Sequence, residues 1–200
     1  MNKAVFLDRD GTIIEEANYL SSPSQVRWIP GVPQALAKLA QDGWLLIIVT
    51  NQSGVARGYF SLNEVQKVYQ YLQRELASYG AQFTAQYCCP HHPQYSRTEA
   101  ERYCLCRKPQ PGLFLQAQKD WNIDFKSSMA FGDKLTDLMA PLSLGCRSFL
   151  VQTGYGPQEW KKIPQKNGPV PNWTSQFGFR AVPLFPGDLP PVPQATPTIP

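Results

Sequence analysis

A chain of 200 residues that is 42% hydrophobic and 17% charged has room for one domain with a modest appendage and can bury a core, which excludes two full domains and global disorder. The 19 Lys and Arg residues and 15 Asp and Glu residues give a net charge of +4. This charge is too small and too dispersed to indicate nucleic acid or an anionic membrane as a partner by itself.

Five short strands are predicted from apolar runs bounded by polar or glycine-containing turns, at residues 4–7, 44–50, 83–87, 129–131 and 149–152. Four helices are predicted between them, at residues 33–41, from Ser61 to Gly80, and at 111–121 and 135–144. Ser61 and Glu64 form a capping-box pattern at the start of the second helix. The alternation predicts a three-layer α/β/α fold with a mainly parallel sheet, whose ligands bind at the carboxyl ends of the strands.

The composition changes near residue 157, because eleven of the nineteen prolines lie between Pro157 and Pro200. We therefore divide the chain into a domain over residues 1–156 and a Pro-rich tail over residues 157–200. The tail is expected to be extended, with a polyproline II segment at residues 190–193. Its candidate anchors onto the domain are four aromatic residues: Trp160, Trp173, Phe177 and Phe179.

Two carboxylates, Asp8 and Asp10, directly follow the first strand. Side chains at i and i+2 of an extended backbone face the same way, so both carboxylates can converge on one substrate atom, while Gly11 lets the chain turn away. The alternative interpretation is an acidic turn without catalytic function. We disfavour it because three further segments of matching chemistry follow in order.

The first of these segments is the hydrogen-bonding stretch from Thr50 to Gly54, which suits phosphate oxygens. The second holds the adjacent cations Arg107 and Lys108, and the third places Asp133 after the fourth strand. In this order, the acid pair, the hydroxyl, the lysine and the later acid resemble the four motifs of the haloacid dehalogenase (HAD) superfamily of phosphotransferases.

The resemblance implies a role for each residue. Asp8 would be the nucleophile that forms an aspartyl-phosphate, and Asp10 would be the general acid and base. Asp8 and Asp133, with the carbonyl of Asp10, would hold Mg²⁺, while Thr50 and Lys108 would bind the transferring phosphoryl group. The role of Asp137 is left open between support of the metal site and the start of a helix.

The second aspartate also favours a phosphatase over a dehalogenase, because a dehalogenase has no leaving alkoxide to protonate. The segments between the motifs are too short for a large cap domain: about 20 residues separate Thr12 from the next helix. We therefore expect an open site that recognises its substrate through local loops.

Four of the five cysteines and both histidines of the chain lie within residues 88–106. This clustering indicates a metal site in a reducing compartment rather than disulfides. The predicted structural Zn²⁺ ligands are Cys89, His91, Cys104 and Cys106. Cys88 or His92 remains an alternative ligand, and buried thiols with incidental histidines are the alternative without metal. Such a site would fix the position of the loop that carries Arg107 and Lys108.

The zinc loop, the uncapped core and the stretch from Thr50 to Gly58 together resemble the family of D-glycero-D-manno-heptose 1,7-bisphosphate 7-phosphatases over about residues 4–156. The resemblance implies a Mg²⁺-dependent enzyme that removes the 7-phosphate of the sugar in nucleotide-activated heptose biosynthesis. The substrate contacts it implies are Glu16, Ala17, Asn18, Tyr19, Thr50, Asn51, Gln52, Ser53, Arg107, Lys108 and Lys134. The tail departs from the family pattern.

Three alternatives remain. The first is a histidinol-phosphate phosphatase, a family that has a similar zinc loop but departs from the stretch 53–58. The second is a zinc-stabilised binding module, which would not need the intact acidic motifs. The third is a DNA 3′-phosphatase, which the sequence does not support because it has no basic stripe with interleaved aromatic residues. The anomer of the sugar is left open. We expect a small phosphorylated sugar as substrate, no nucleic-acid or membrane partner, and a monomer.

Two sequence features indicate where in the cell the protein is located: its N-terminus and its longest apolar run. Only residues 4–7 are apolar before Asp8, which is shorter than the apolar core of a secretory signal, roughly 7–15 residues. The run at 44–49 is far shorter than the roughly 20 residues of a membrane-spanning helix. We therefore expect a soluble, cytoplasmic protein.

Overall fold

The computed structural model describes residues 1–163, 174–176 and 179–193, and within them one sheet of seven strands forms the centre of the fold. The strands are β1 (Ala4–Leu7), β2 (Leu45–Asn51), β3 (Ala85–Cys89), β4 (Met129–Gly132), β5 (Arg147–Val151), β6 (Thr174–Gln176) and β7 (Phe179–Leu184). Their order is β3-β2-β1-β4-β5-β7-β6. The strands β1 to β5 pair in parallel, and β7 is antiparallel to both β5 and β6.

Seven α-helices connect or flank these strands in the described residues. They are α1 (Val32–Gln41), α2 (Ser53–Ala56), α3 (Leu62–Ala77), α4 (Glu99–Arg102), α5 (Gly112–Trp121), α6 (Leu135–Ser143) and α7 (Gly156–Trp160). The capping box of α3 is confirmed, because the Ser61 side chain accepts from the Glu64 N–H and the Glu64 carboxylate accepts from the Ser61 N–H. No helix among the described residues is both long enough and apolar enough to cross a membrane.

Two apolar clusters lie on opposite faces of the sheet. Alternate residues of β1 belong to different clusters, with Val5 and Leu7 in one and Phe6 in the other. The first cluster includes buried residues of α1 and α3, such as Leu36 and Leu72, and the second includes residues of α5 and α6. The predicted three-layer α/β/α fold with a mainly parallel sheet is therefore confirmed.

The predicted strand and helix positions are close to those observed, and the largest shift is at β3. This strand was expected at 83–87 but lies at Ala85–Cys89, because the backbone of Phe83 bonds to the side-chain amide of Gln73 in α3 instead of to a neighbouring strand. At its other end, Cys88 and Cys89 pair with Thr50 and Asn51 of β2. This register places a predicted zinc ligand beside a predicted phosphate-binding loop.

Part of the Pro-rich tail joins the sheet, which the sequence pattern did not predict. Strand β7 pairs with β5, and Phe179 is buried and stacks on Phe131 at a centroid distance of 4.6 Å. Trp160 packs against one core cluster, whereas Trp173 and Phe177 lie outside the described residues. The Gln110 amide donates a hydrogen bond to the Pro193 carbonyl. The division of the chain at residue 156 stays a prediction.

Candidate active site

A pocket of about 480 Å³ opens at the carboxyl ends of the parallel strands. Its lining includes twelve of the residues named as catalytic, metal-binding or substrate-binding: Asp8, Asp10, Glu16, Asn18, Tyr19, Thr50, Asn51, Gln52, Ser53, Arg107, Lys108 and Lys134. Ala17 is not among the lining residues and packs against the core instead. Asp133 is fully buried and is also not among them.

Lys108 forms the centre of the buried end of the pocket. Its Nζ lies 2.7 Å from Asp8 Oδ1, 2.8 Å from Asp137 Oδ1 and 2.7 Å from the carbonyl oxygen of Val49, so all three ammonium donors are used. Burial lowers the pKa of Lys108, but the Asp137 and Asp8 carboxylates outweigh this effect and raise it above the usual value. The ammonium group therefore stays charged beside Asp8.

Three carboxylates, of Asp8, Asp133 and Asp137, lie together with ligand atoms within 4.8 Å of one another. Oδ2 of Asp133 accepts a hydrogen bond from the Tyr155 N–H, whereas its buried Oδ1 has no hydrogen-bond partner. Burial, followed by repulsion from Asp137 and Asp8, raises the pKa of Asp133 to about 8. Asp133 Oδ1 lies 3.9 Å from Lys134 Nζ, beyond hydrogen-bond distance, so it is free to bind a metal ion. Three carboxylates are the hard oxygen donors that Mg²⁺ prefers.

The approach of the backbone to Asp133 requires glycine. Gly11 has φ of 82°, in the left-handed region, and a Cβ there would collide with the Asp133 carboxylate. Gly154 lies next to Gly11, and a Cβ there would collide with the same Asp133 carboxylate. The Gly11 expected to turn the chain away from the acid pair thus also makes room for the third acid.

The side chain of Asp10 is held by two donors that do not touch Asp8. Arg9 donates from Nε and Nη2 to the two carboxylate oxygens, at 3.0 and 3.1 Å, and Gln52 donates to Oδ2 at 2.9 Å. The same Gln52 nitrogen lies 2.9 Å from Thr50 Oγ1. Arg9 is fully buried, and sequence reasoning missed it. Its position between the two aspartates was the available signal.

Asn51, the last residue of β2, holds the backbone of Lys108. Asn51 Oδ1 accepts from the Lys108 N–H at 3.0 Å, and Asn51 Nδ2 donates to the Lys108 carbonyl at 3.1 Å. The Asn51 side-chain amide therefore bonds to the protein itself, and a contact of Asn51 with substrate stays a prediction. Thr50 and Ser53 line the pocket on either side of this clamp along the chain.

A second group of possible metal ligands consists of the predicted zinc residues, Cys89, His91, Cys104 and Cys106, with ligand atoms within 4.8 Å of one another. Cys106 Sγ lies 3.0 Å from Cys89 Sγ, 3.2 Å from Cys104 Sγ and 3.4 Å from His91 Nδ1. The hydrogen bond between Cys106 and Cys89 outweighs burial and lowers the pKa of Cys106 to about 5. Three sulfurs and one imidazole fit the tetrahedral coordination of a closed structural zinc site.

The two alternative zinc ligands lie elsewhere. Cys88 is not part of the group of four, and burial raises the pKa of its thiol to about 11. The His92 ring lies 4.9 Å from the ring of Tyr95. The group of four is connected to the pocket, because Arg107 Nη1 donates to the His91 carbonyl at 2.9 Å.

The opposite wall of the pocket comes from the loop after β1 and from the start of α6. Lys134 Nζ lies 3.8 Å from Glu16 Oε2 and 4.3 Å from the centroid of the Tyr155 ring. Glu16 Oε1 accepts from the Asn18 N–H at 2.9 Å. Tyr155 was not among the predicted site residues, although its place just beyond β5 follows the same rule as the other strand ends.

Comparisons with known proteins identify relatives over most of the chain. The family model described as polynucleotide kinase 3 phosphatase matches residues 3–136, and the HAD-hydrolase-like model matches residues 105–172. The chain is 45% identical over 154 residues to the D-glycero-beta-D-manno-heptose-1,7-bisphosphate 7-phosphatase of Haemophilus ducreyi, covering 76% of this chain and 84% of that protein.

Two further relatives extend this result. The D-glycero-alpha-D-manno-heptose-1,7-bisphosphate 7-phosphatase of Photorhabdus laumondii is 39% identical over 78% of this chain and 86% of its own. The crystal structure of D,D-heptose 1,7-bisphosphate phosphatase from B. bronchiseptica, complexed with magnesium and phosphate, superposes with a TM-score of 0.72 at 33% identity. The superposition covers 83% of this chain and 89% of the B. bronchiseptica chain.

Proposed function

Because the chain belongs to the HAD-superfamily phosphatases that these models describe, and among them to the D-glycero-D-manno-heptose-1,7-bisphosphate 7-phosphatases, we propose that it forms an aspartyl-phosphate on Asp8. The chain is a phosphoric monoester hydrolase, and its substrate is a heptose 1,7-bisphosphate that loses the 7-phosphate. The 2.7 Å contact between Lys108 and Asp8 in a polar pocket carries the mechanism.

In the first step, an oxygen of Asp8 forms a bond to phosphorus while the bond between phosphorus and the C7 oxygen breaks. Asp10 donates a proton to the departing alkoxide, a contribution of about 10²–10⁴ to the rate. In the second step Asp10 takes a proton from the attacking water, inorganic phosphate leaves, and the Asp8 carboxylate is restored. Lys108 stabilises the charge on the transferring group through both steps.

Asp8, Asp133 and Asp137 would hold Mg²⁺, with the Asp10 carbonyl as a further ligand. When bound, the ion supplies neutralisation of negative charge at the phosphoryl group. The magnesium and phosphate in the related B. bronchiseptica structure support this assignment. The residues Cys89, His91, Cys104 and Cys106 would hold Zn²⁺ in a structural role, because all four positions of a tetrahedron are then filled by protein.

Two further cations, Arg107 and Lys134, line the pocket and suit the phosphate that is not transferred. Arg107 is fixed by the His91 carbonyl, and Lys134 lies across the pocket near Glu16. Neither side chain takes part in the contacts of the Lys108 ammonium. A sugar with phosphates at both ends would therefore be recognised at both ends of the pocket.

We assign the reaction to the cytoplasm and the active form to a monomer.

The test is a comparison of kcat/KM for the α and β anomers of the heptose 1,7-bisphosphate, fructose 1,6-bisphosphate and histidinol phosphate. A DNA oligonucleotide with a 3′-phosphate is included because of the polynucleotide kinase 3 phosphatase match. We expect a heptose anomer to give the highest value. Asp8→Asn, purified in the same way, controls for contaminating phosphatase and should be inactive while folded. The highest kcat/KM on any other substrate would overturn the proposal.

A further inference from the structure

One arginine and three tyrosines form a cluster at the edge of the pocket. The Arg57 guanidinium carbon lies 3.9 Å from the ring centroid of Tyr95 and 5.7 Å from that of Tyr19. The Tyr19 and Tyr59 rings meet edge to face, with centroids 4.8 Å apart and planes at 81°. These distances lie within the range of cation–π and aromatic contacts.

The cluster connects three separate parts of the site. Tyr19 lies on the loop after β1 and lines the pocket, while Arg57 directly follows α2 and is not among the lining residues. Tyr95 lies between His91 and α4, and its ring contacts the His92 ring. Arg57 therefore bridges a pocket wall and the loop that carries the predicted zinc ligands.

Tyr19 needs such support because of its backbone. Asn18 and Tyr19 have φ values of 45° and 67°, in the left-handed region that residues with side chains rarely adopt. Two consecutive residues in this region persist only where surrounding contacts hold them. Tyr19 is 43% exposed, so packing against the core supplies little of this support, and its ring contacts are those with Tyr59 and Arg57.

Arg57 is committed to the rings. It takes part in none of the ion pairs found in the described part of the chain, and its buried Nε has no hydrogen-bond partner. An arginine used for an anion normally presents its nitrogens to carboxylate or phosphate oxygens. Here the guanidinium group lies against the rings of Tyr95 and Tyr19, and its hydrogen bonds are to the tyrosine side chains of Tyr95 and Tyr59.

We propose that Arg57 is a positioning residue for substrate specificity: by bridging Tyr19 and Tyr95 it fixes the pocket wall that contacts the non-reacting end of the sugar bisphosphate. This inference rests on the proposed function. The contacts at Asp8 and Lys108 do not involve the cluster. Loss of Arg57 therefore weakens binding of a substrate that reaches the wall and leaves the chemistry on a small phosphoester unchanged.

The experiment compares Arg57→Met, which keeps length and loses the guanidinium, with Arg57→Lys, which keeps a cation able to lie over the rings. For Arg57→Met we expect KM for the heptose bisphosphate to rise about three- to tenfold, with kcat within about twofold. The kcat/KM for p-nitrophenyl phosphate should not change. Arg57→Lys should restore part of the lost affinity.

Tyr95 supplies the matched pair that tests the bridge. Tyr95→Leu should raise KM for the bisphosphate as Arg57→Met does. Tyr95→Phe keeps the ring under the guanidinium and loses only the hydroxyl group that bonds to Arg57, so its KM should lie closer to wild type than that of Tyr95→Leu. The double variant Arg57→Met with Tyr19→Ala should be no worse than Tyr19→Ala alone, since Arg57 acts through Tyr19. Multiplicative losses in the double variant would overturn the inference.

Two other results would also overturn it: an unchanged KM in Arg57→Met, or equal losses on the bisphosphate and the aryl phosphate, which indicate a general structural role. Failure of the proposed function is recognised separately, because it shows in the wild-type enzyme as lack of turnover of the heptose bisphosphate. In that case the bisphosphorylated sugar that wild type hydrolyses best takes its place in the same comparison, so the bridge is still tested.

Discussion

Lys108 Nζ lies 2.7 Å from Asp8 Oδ1, although 100 positions separate the two residues in the sequence. The contact follows from the sheet order, because β1 and β2 are neighbours and Lys108 also bonds to the Val49 carbonyl of β2. Asn51 fixes the Lys108 backbone at the end of the same strand. The ammonium therefore reaches Asp8 from a backbone anchored to the adjacent strand.

Replacement of Lys108 by Met should lower kcat by roughly 10²–10³, the usual effect of losing one preorganised charge-stabilising donor. The unfolding free energy should fall by about 3–5 kcal/mol, because the Asp8 and Asp137 carboxylates lose their buried counter-ion. Steady-state kinetics and urea unfolding measure the two effects.

The control is Lys134→Met, since Lys134 is 39% exposed and does not contact Asp8. It should raise KM for the bisphosphate more than it lowers kcat. A Lys108→Met enzyme with kcat within about threefold of wild type would contradict the role given to this ammonium group in phosphoryl transfer.

Local patterns were sufficient to predict most of the fold. Apolar runs and the capping box at Ser61 act within a few positions, and they located β1 to β5 and the four longer helices within three residues. Strand β7 was missed because Pro183 interrupts its pattern, and its stability comes from pairing with β5 and from the Phe179 stack, which are contacts between distant parts of the chain.

The candidate site likewise contains some residues that the sequence predicts and others that it does not. Asp8, Asp10, Lys108 and Asp133 could be predicted, because each lies in a motif or just beyond a strand. Arg9 was missed although it lies between two of these residues in the sequence, because its contact with Asp10 depends on where its side chain turns once it is buried. The bonds of the Asn51 and Gln52 side-chain amides to Lys108 and Asp10 could not be predicted either, because they join distant parts of the chain.

Asp133→Asn should abolish Mg²⁺-dependent turnover and stabilise the metal-free protein. Its carboxylate is buried, repelled by Asp8 and Asp137, and has one oxygen without a hydrogen-bond partner, so a neutral amide of similar shape removes an unfavourable charge. In EDTA the unfolding free energy should rise by roughly 1–3 kcal/mol. Thermal unfolding with and without Mg²⁺ measures this.

Wild type should gain stability when Mg²⁺ is added, and Asp133→Asn should not. Asp42→Asn is the control, because Asp42 pairs with Lys38 on the exposed surface and its loss should leave both activity and the Mg²⁺ effect unchanged. An equal Mg²⁺-induced shift in Asp133→Asn and wild type would remove Asp133 from the metal site.

Asp10→Asn should lower kcat most for substrates whose leaving group must be protonated. A sugar alkoxide needs protonation, so kcat for the heptose bisphosphate should fall by about 10²–10⁴. An activated aryl phosphate leaves as a stable phenolate and should lose much less. The ratio of the two losses is the measurement, and equal losses on both substrates would exclude Asp10 as the general acid.

Phe179→Ala tests whether β7 is part of the cooperative fold. Phe179 is 3% exposed and stacks on Phe131, so its truncation should lower the unfolding free energy by about 3–5 kcal/mol in urea unfolding. Phe185→Ala is the control because Phe185 is 60% exposed, and it should change stability by less than about 0.5 kcal/mol. Equal small effects would mean that this part of the tail adds no stability.

The cysteine cluster is connected directly to two cations of the substrate pocket. Cys106 directly precedes Arg107 and Lys108, and Arg107 bonds to the carbonyl of His91. If zinc orders this loop, Cys104→Ser should raise KM for the bisphosphate and lower kcat together, because both cations lose their positions. Wild-type protein should retain about one zinc per chain through dialysis against a mild chelator, whereas turnover should still require added Mg²⁺.

Two variants separate this effect from a general loss of stability. Arg107→Ala should weaken binding of the bisphosphate and spare hydrolysis of a small aryl phosphate, which makes few remote contacts. Cys146→Ala removes a buried thiol outside the cluster, so it should lower the melting temperature without changing KM. All constants are measured well below the melting temperature of each variant. If Cys104→Ser then behaves like Cys146→Ala, the cluster stabilises the fold but does not position Arg107 and Lys108.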